Sequence, residues 1–352
     1  TGVQTCALPI SIDADDVVLA TGSRPLALPG NPFAGALIDS TQALELNTLP
    51  SSAVIIGAGA VALEFASLWN AAGCEVTLLI RKDRVLSTWE RRASMTLTRE
   101  LKRRGVNVIA RTAVDRVDTG ANLGATVHYR QGDSDEDRTA YGEVVLAAIG
   151  RVPNTDADWF RSSGLKLDER GYVTVDGYGR TNLDGVWALG DITPGHALAH
   201  RAFEQGITIA EKIAGADPKP VIDDTVPQVV FSFPEAASVG LTLDQAKARE
   251  DVVEPKETAY PMLSNARMLM SGEGGSMTVV SGAFANNPDM QVVLGVHIVS
   301  PIASDLIAEA EQLVGNRVPL ADAARLIHPH PTFSETLGEA LLKADGRPLH
   351  TR

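Results

Sequence analysis

The 352-residue chain is poor in cysteine, containing only Cys6 and Cys74. Two cysteines cannot build a disulfide framework, so a reducing cytoplasm is the expected location. Basic residues are fewer than acidic ones: the chain has 31 Lys and Arg and 44 Asp and Glu, which gives a net charge of −13. This negative charge argues against nucleic acid or an anionic membrane as a partner.

Long apolar runs are also missing from the sequence. No stretch approaches the eighteen or more apolar residues of a membrane span, so we expect a soluble protein that contacts no membrane. The hydrophobic fraction of 44% over 352 residues is nevertheless sufficient for two or three domains with their own cores.

The most informative stretch is residues 54–80. An apolar strand breaks into GAGAVA, a helical pattern follows, and a second strand ends at Ile80, which is the order of a dinucleotide-binding βαβ unit. Gly57 would allow the tight turn, Gly59 would let the backbone approach a pyrophosphate, and Ala62 would keep the helix close to the sheet. The phosphates would lie at the helix N-terminus. The alternative is a glycine-rich turn without a ligand.

The end of the second strand indicates which dinucleotide would bind. An NAD site usually places a carboxylate there for the ribose 2′-OH. This chain instead has Ile80 followed by Arg81, Lys82 and Arg84, with Asp83 beyond the usual position. Cations at that place suit a 2′-phosphate, so the sequence favours NADP. A solvated basic turn is the alternative.

The first ten residues, TGVQTCALPI, are expected to be foreign to the natural protein. They resemble the translation of a sequencing adapter fused to an incomplete gene, and such scars are excluded from fold reasoning. An ordinary N-terminal loop is the alternative. If the segment is a scar, Cys6 is not a natural residue.

Further along the chain, residues 17–20 predict a short buried strand that ends in a turn at Thr21 and Gly22. Residues 143–149 predict an apolar strand that runs into Gly150, and residues 171–175 predict another strand. No metal site is predicted, because no cluster of ligands stands out.

Motifs along the chain resemble the flavoprotein disulfide reductases with two dinucleotide-binding domains. The motifs occur in family order: ATG (20–22), GAGAVALE (57–64), AIGRVPN (148–154), ALGD (188–191) and HPHPTFSE (328–335). The C-terminal motif and the residues after it are most similar to the dihydrolipoamide dehydrogenase branch. The resemblance covers residues 11–352.

The resemblance implies an α/β fold with two Rossmann-like dinucleotide-binding domains, the FAD domain being incomplete, and a C-terminal α+β dimerisation domain. It implies FAD and NAD(P) as cofactors, a homodimer, and lipoyl domains of a 2-oxo acid dehydrogenase complex as a further partner. The expected domain limits are an FAD-domain fragment at 11–43, an NAD(P)-binding domain at 44–153, a second FAD-domain segment at 154–220 and an interface domain at 221–352.

The resemblance also assigns cofactor contacts to individual residues. Thr21 and Gly22 would line the FAD site, and Asp191 would bind a ribityl hydroxyl, with a surface carboxylate as the alternative. The helix that includes Ala199 would direct its positive N-terminal end at the flavin ring. His200 on that helix could instead be a cap.

Two further positions follow from the family motifs. Glu64 would lie near the nicotinamide and the flavin, although a solvated helical Glu is the alternative interpretation. Gly150, in the AIGRVPN motif, is assigned to the cofactor site.

His330 is the predicted catalytic residue, because imidazole titrates near neutral pH and a thiol must lose a proton before it is oxidised. The resemblance makes Glu335 its carboxylate partner. The local sequence pattern offers another role, because Thr332 and Glu335 also fit a capping box for the last helix, with Thr332 as N-cap and Glu335 at N3. His328 fits a structural role better than a catalytic one.

The chain lacks two features that the family requires, a first GxGxxG for the FAD pyrophosphate and a redox-active cysteine pair. We therefore expect a truncated copy, inactive as it stands, of an enzyme that oxidises dihydrolipoamide through a cysteine pair and FAD to NAD(P)⁺. The alternatives are an NADPH-dependent reductase of a small disulfide, metal ion or quinone, and an inactive nucleotide-binding and dimerisation fragment.

Overall fold

The computed structural model describes residues 12–120 and 124–351. The prediction for residues 1–10, and Cys6 with it, lies outside the described residues. The chain divides into two compact units, one formed by residues 12–24 with 152–223 and the other by residues 25–151 with 224–351. The domain limits given above remain predictions.

The strands of the described residues are numbered in chain order. They are β1 (Val17–Leu19), β2 (Ser23–Pro25), β3 (Leu37–Ile38), β4 (Ser52–Ile56), β5 (Glu75–Ile80), β6 (Asn107–Ala110), β7 (Thr112–Thr119), β8 (Ala125–Gln131), β9 (Arg138–Gly142), β10 (Val144–Ala147), β11 (Arg151–Pro153), β12 (Val186–Ala188), β13 (Gln228–Val230), β14 (Glu235–Gly240), β15 (Val252–Pro261), β16 (Ser276–Phe284) and β17 (Asn287–Ser300).

The α-helices of the same residues are numbered likewise. They are α1 (Ser40–Leu44), α2 (Ala60–Ala71), α3 (Arg91–Arg103), α4 (Asp158–Ser162), α5 (Ala199–Ile213), α6 (Leu243–Ala248), α7 (Ala266–Ser271), α8 (Ala303–Gly315), α9 (Leu320–Ala323) and α10 (Glu335–Ala344).

The larger unit contains a parallel sheet in the order β3-β10-β4-β5-β6. Its strands are continuous apolar runs, as expected for a parallel sheet covered on both faces. Helix α2 connects β4 to β5, and its buried face, which includes Leu63 and Trp69, packs against the sheet. The predicted βαβ unit is therefore present, with the glycine turn between β4 and α2.

The same unit holds a five-stranded antiparallel sheet in the order β13-β14-β17-β16-β15. Helices α8 and α10 cover it, and Met277, Val296, Leu313 and Leu341 are among the buried residues of their common core. Parallel Rossmann-like sheets followed by a C-terminal antiparallel domain confirm the predicted fold class.

The smaller unit contains β1 and β12, which pair in parallel from Val17 and Val186 to Leu19 and Ala188. The prediction of a buried β1 is wrong, since Val17 is 44% and Val18 43% exposed. Within this unit β12 is the only strand neighbour that the described residues give β1, so the strand is not enclosed in a wider sheet.

The predicted strand at residues 171–175 is also replaced by irregular structure. Val173 forms only an isolated bridge with Leu167. The carboxylate of Asp168 accepts hydrogen bonds from the N–H groups of Arg170 and Tyr172, and this turn uses backbone donors that a strand would need.

No helix in the described part of the chain combines the length and the apolar character needed to cross a membrane.

Candidate active site

Gly57 forms the turn between β4 and α2. Its φ of +142° lies in a region that side-chain-bearing residues rarely adopt. A Cβ at this position would lie 2.2 Å from the carbonyl oxygen of Ala148, which follows β10. Only glycine can therefore make this turn without moving the neighbouring backbone.

Gly59 has a different environment, although it is only two residues away. It is the N-cap of α2 with a φ of −91°, and a Cβ added there would meet no heavy atom of the described residues within 4 Å. No side chain from that part of the chain caps α2, so the first N–H groups of the helix face this open space. A helix N-terminus of this kind is suited to a phosphate, and the site fits the pyrophosphate of a dinucleotide.

Ala62 is completely buried on the first turn of α2. A Cβ added at Gly57 would lie 3.4 Å from the Cβ of Ala62, so the two residues are close neighbours. A larger side chain at residue 62 would therefore push the helix away from the glycine turn.

The predicted 2′-phosphate cations follow β5, which pairs in parallel with β4 so that both strands end at one edge of the sheet. Arg81 and Lys82 are exposed there. Arg84 is half-buried, and its guanidinium donates to Asp83 at 3.0 Å and to the Ser87 carbonyl at 3.1 Å. The first two cations are thus accessible to a ligand, whereas the third is bound within its own loop.

Glu64 lies on α2, where its carboxylate accepts a hydrogen bond of 3.0 Å from the N–H of Phe231. Glu64 therefore links α2 to the segment that follows β13. Gly150, with a φ of +144°, follows β10 and its carbonyl accepts a bond of 3.0 Å from the N–H of Leu26. Both contacts lie within the larger unit.

The smaller unit holds the residues assigned to FAD. Thr21 donates its hydroxyl to the Asn154 carbonyl at 2.8 Å, and the carbonyl of Gly22 accepts the Asn154 N–H at 2.9 Å. Asp191 follows β12 and accepts a bond of 2.5 Å from the Ser23 hydroxyl. The Thr21 turn and the Asp191 carboxylate thus belong to the ends of two paired strands.

Ala199 is the first residue of α5, and no side chain of the described residues caps that helix at Leu198. This end of α5 and the carboxylate of Asp191 are compatible with part of a flavin site. The 352 residues contain no second GxGxxG turn for the flavin pyrophosphate.

His330 and Glu335 are in direct contact. Nδ1 of His330 lies 2.8 Å from a carboxylate oxygen of Glu335, whose other oxygen accepts the Thr332 N–H at 2.8 Å. The His330 side chain is 72% exposed, whereas that of Glu335 is largely buried. With a carboxylate on Nδ1, neutral His330 carries its proton on that nitrogen, and Nε2 is left to accept another.

The ionisation of Glu335 supports this arrangement. Burial opposes the charged form, but the hydrogen bonds from Thr332 and His330 and the nearby histidines outweigh it, so the pKa of Glu335 lies below its usual value. The carboxylate is therefore an acceptor at neutral pH.

The capping-box alternative is half right. Glu335 binds the Thr332 N–H as the box requires, but the Thr332 hydroxyl donates to the Pro329 carbonyl. Helix α10 begins at Glu335 with Ser334 as N-cap. One carboxylate therefore serves both the loop backbone and His330, and the two interpretations are not exclusive.

The partner of His328 is a residue that no sequence pattern indicated. Nε2 of His328 lies 2.9 Å from a carboxylate oxygen of Glu309 on α8, and the His328 side chain is only 9% exposed. The two residues are 19 positions apart and meet only through packing of the loop on α8, so no local pattern could reveal them.

Cys74 is buried just before β5, as its predicted structural role requires. Burial, reinforced by Glu143 and Glu75, raises the pKa of this thiol to about 11. It is a poor nucleophile at neutral pH, because the thiolate is the reactive form. Among residues 12–120 and 124–351, no group of three His, Cys, Asp or Glu side chains is placed to hold a metal ion.

Comparison with known proteins assigns the family. The model of the pyridine nucleotide-disulphide oxidoreductases matches residues 7–206, and that of their dimerisation domain matches residues 226–341. The chain belongs to the pyridine nucleotide-disulphide oxidoreductase family. Members of this family bind FAD and NAD(P), and the dimerisation domain supports a homodimer.

Individual relatives agree with this assignment. The chain is 36% identical over 342 residues to a dihydrolipoyl dehydrogenase of Cupriavidus necator, matching 96% of this chain and 70% of that protein. It is 37% identical to a dihydrolipoyl dehydrogenase of Geobacillus stearothermophilus, with 95% and 69% covered. The structure of LpdA from Mycobacterium tuberculosis superimposes with a TM-score of 0.83 at 29% identity, covering 94% of this chain and 70% of LpdA.

Proposed function

We propose that this member of the oxidoreductase family is a dihydrolipoamide dehydrogenase. The observation that carries the proposal is the His330–Glu335 pair, in which a largely buried carboxylate holds Nδ1 and leaves Nε2 of an exposed imidazole to accept a proton. Relatives named dihydrolipoyl dehydrogenase, at about 35% identity, support the same substrate.

His330 would act as the general base toward the substrate dithiol. A dihydrolipoamide thiol must lose its proton before its sulfur can attack a disulfide, and Nε2 would take that proton. Glu335 would stabilise the imidazolium that forms. The disulfide would belong to a redox-active cysteine pair, a role that the buried thiol of Cys74 does not fit.

The glycine turn would hold the pyridine nucleotide. The N–H groups at the start of α2 and the open space at Gly59 would bind its pyrophosphate, and Arg81 and Lys82 would bind a 2′-phosphate. This arrangement favours NADP over NAD. FAD, when bound, would carry the electron pair between the thiols and the nicotinamide, and Thr21, Gly22, Asp191 and Ala199 would form part of its site.

In the dihydrolipoamide dehydrogenase branch the catalytic histidine works across a homodimer interface. By this resemblance, residues 221–352 would form the dimer interface of this protein. Its macromolecular substrate would be the lipoyl domains of a 2-oxo acid dehydrogenase complex. The exposed ring of His330 is consistent with a site completed by a second copy.

A second candidate is an NADPH-dependent reductase of a small disulfide, metal ion or quinone. The exposed cations Arg81 and Lys82 favour it, because this strand end resembles that of the NADP-using glutathione reductase branch. A third is a nucleotide-binding and dimerisation fragment without thiol chemistry, which the buried, protonated Cys74 favours.

A substrate panel distinguishes these candidates. The chain is fused to the part of the Cupriavidus necator enzyme that it does not match, and the fusion is assayed with dihydrolipoamide, glutathione disulfide and a quinone, using both nucleotides. We expect kcat/KM for dihydrolipoamide to exceed the other two by at least tenfold. A preference for glutathione disulfide or the quinone contradicts the proposal, and a fusion that binds flavin but turns over none of the three favours the silent fragment.

A further inference from the structure

His328 is buried at the start of the loop that carries His330, and it contacts elements on both sides of that loop. On one side its Nε2 lies 2.9 Å from the Glu309 carboxylate of α8. On the other side its ring lies over Gly338 of α10, where an added Cβ would come within 2.5 Å of Nδ1. The ring therefore fills the space between the two helices, and glycine at residue 338 makes the close approach possible.

The charges around His328 alternate in sign. Hydrogen bonding to Glu309 raises the pKa of His328, burial opposes it, and the charge of Glu309, the Leu326 carbonyl and the charge of Glu335 add to the increase. An imidazolium at residue 328 in turn favours the ionised form of Glu335. One loop therefore carries two histidine–carboxylate pairs, His328 with Glu309 and His330 with Glu335.

We propose that His328 and Glu309 are positioning residues for His330. Their ion pair fixes the loop of residues 328–335 against α8 and α10, and so holds the Glu335 carboxylate in contact with Nδ1 of His330. The proposal rests on the proposed function, in which His330 transfers the proton. It assigns to the first histidine of the HPHPT motif a role that requires contact with neither substrate nor cofactor.

The His328–Glu309 ion pair is the contact that fixes the start of the loop of residues 328–335 against α8. The other anchors of the loop lie on the far side of His330, where the Asn265 amide donates to the Thr332 carbonyl at 3.1 Å and Phe333 packs against the core. The His330 side chain itself is mostly exposed, and the Thr332 hydroxyl bonds within the loop. The His328–Glu309 hydrogen bond is partly buried, and a charge-assisted bond in such a place is stronger than a neutral one. Loss of the His328–Glu309 pair should therefore loosen the Glu335–His330 contact without removing any atom from it.

The test is imidazole ¹⁵N–¹H NMR of the 352-residue chain, with His328→Gln as the main variant. In the unsubstituted chain, neutral His330 should carry its proton on Nδ1. In His328→Gln the Nδ1–H form should fall at least twofold in favour of Nε2–H. The carboxyl carbon of Glu335 should titrate at a higher pH, because a positive charge near it has been removed.

The matched control is His350→Gln. Nδ1 of His350 lies 2.7 Å from a carboxylate oxygen of Glu339, which is one turn after Glu335 on α10. This variant therefore also removes a histidine from a histidine–carboxylate pair. It lies outside the loop of residues 328–335, and the His330 tautomer should not change. An effect of losing any histidine–carboxylate pair would appear in both variants, whereas positioning affects only His328→Gln.

If His328→Gln does not fold, as judged by circular dichroism, Glu309→Gln decides, since it leaves the buried imidazole in place and removes only the partner charge. An unchanged His330 tautomer in the folded variant overturns the proposal. Neither flavin nor substrate enters this measurement, so its failure is distinct from a failure of the substrate panel.

Discussion

Gly57→Ala is expected to lower the free energy of unfolding of the larger unit by about 2 kcal/mol or more. The new Cβ would lie 2.2 Å from the Ala148 carbonyl oxygen, and alanine would have to adopt a φ of +142°. Overpacking typically costs about 1–3 kcal/mol and a strained backbone adds about 1–3 kcal/mol. Urea unfolding followed by circular dichroism measures the effect.

Gly59→Ala is the matched control, because the same methyl group is added two residues away into open space. Its backbone, at a φ of −91°, is allowed for alanine, so the loss of stability should stay below about 1 kcal/mol, the usual range for an N-cap change. Nucleotide affinity should nevertheless fall at least tenfold, because the methyl group would occupy the place proposed for the pyrophosphate.

The pair of variants therefore separates folding from binding. Equal destabilisation by both substitutions would contradict the geometry of the turn. Unaltered nucleotide affinity in Gly59→Ala would mean that no pyrophosphate lies at the start of α2.

His330→Gln is expected to lower kcat for dihydrolipoamide oxidation by about 10²–10⁴-fold in the fusion enzyme, the range typical of a general base. Glutamine keeps a polar side chain of similar length but cannot take the thiol proton. The limb of the pH profile that reports the base should disappear with it. Steady-state assays from pH 5 to 9 measure both effects.

His128→Gln provides the control for this substitution. His128 on β8 also pairs with a carboxylate, its Nε2 lying 2.9 Å from Asp118, but it lies outside the proposed site. The control should retain the unsubstituted rate and pH profile. A His330→Gln enzyme within threefold of the parent would exclude His330 as the base.

The nucleotide-binding unit could be predicted because its signals are local. Apolar strands, a glycine turn and a helix with an apolar face follow one another within residues 52–80, and each pattern reports its own element. Strand β15 has no comparable local signal in the sequence. It is an edge strand that contains Pro255 and several charged residues, and its pairing with β16 shifts register between Val253 and Lys256. The alternation of apolar and polar residues that marks a strand is therefore interrupted, and the strand forms because β16 lies beside it.

The candidate site shows the same division. Glu335 and His330 are five residues apart, and the family resemblance paired them as the structure does, whereas the local pattern by itself indicated only the capping box. Glu309 was missed because it reaches His328 only when α8 packs beside the loop. The sequence likewise could not show that the Arg84 guanidinium is bound by Asp83 and the Ser87 carbonyl, because these contacts depend on the conformation of the loop after β5.

The most direct test of the central claim, that the Gly57–Ala62 turn holds a pyridine nucleotide, is a titration of the chain with NADPH and NADH followed by protein fluorescence. We predict binding of both, with NADPH at least tenfold tighter, or about 1.4 kcal/mol. The Arg81→Ala, Lys82→Ala double variant should lose that preference while still binding NADH. Equal or tighter binding of NADH would contradict the assignment to NADP, and binding of neither nucleotide would contradict the claim itself.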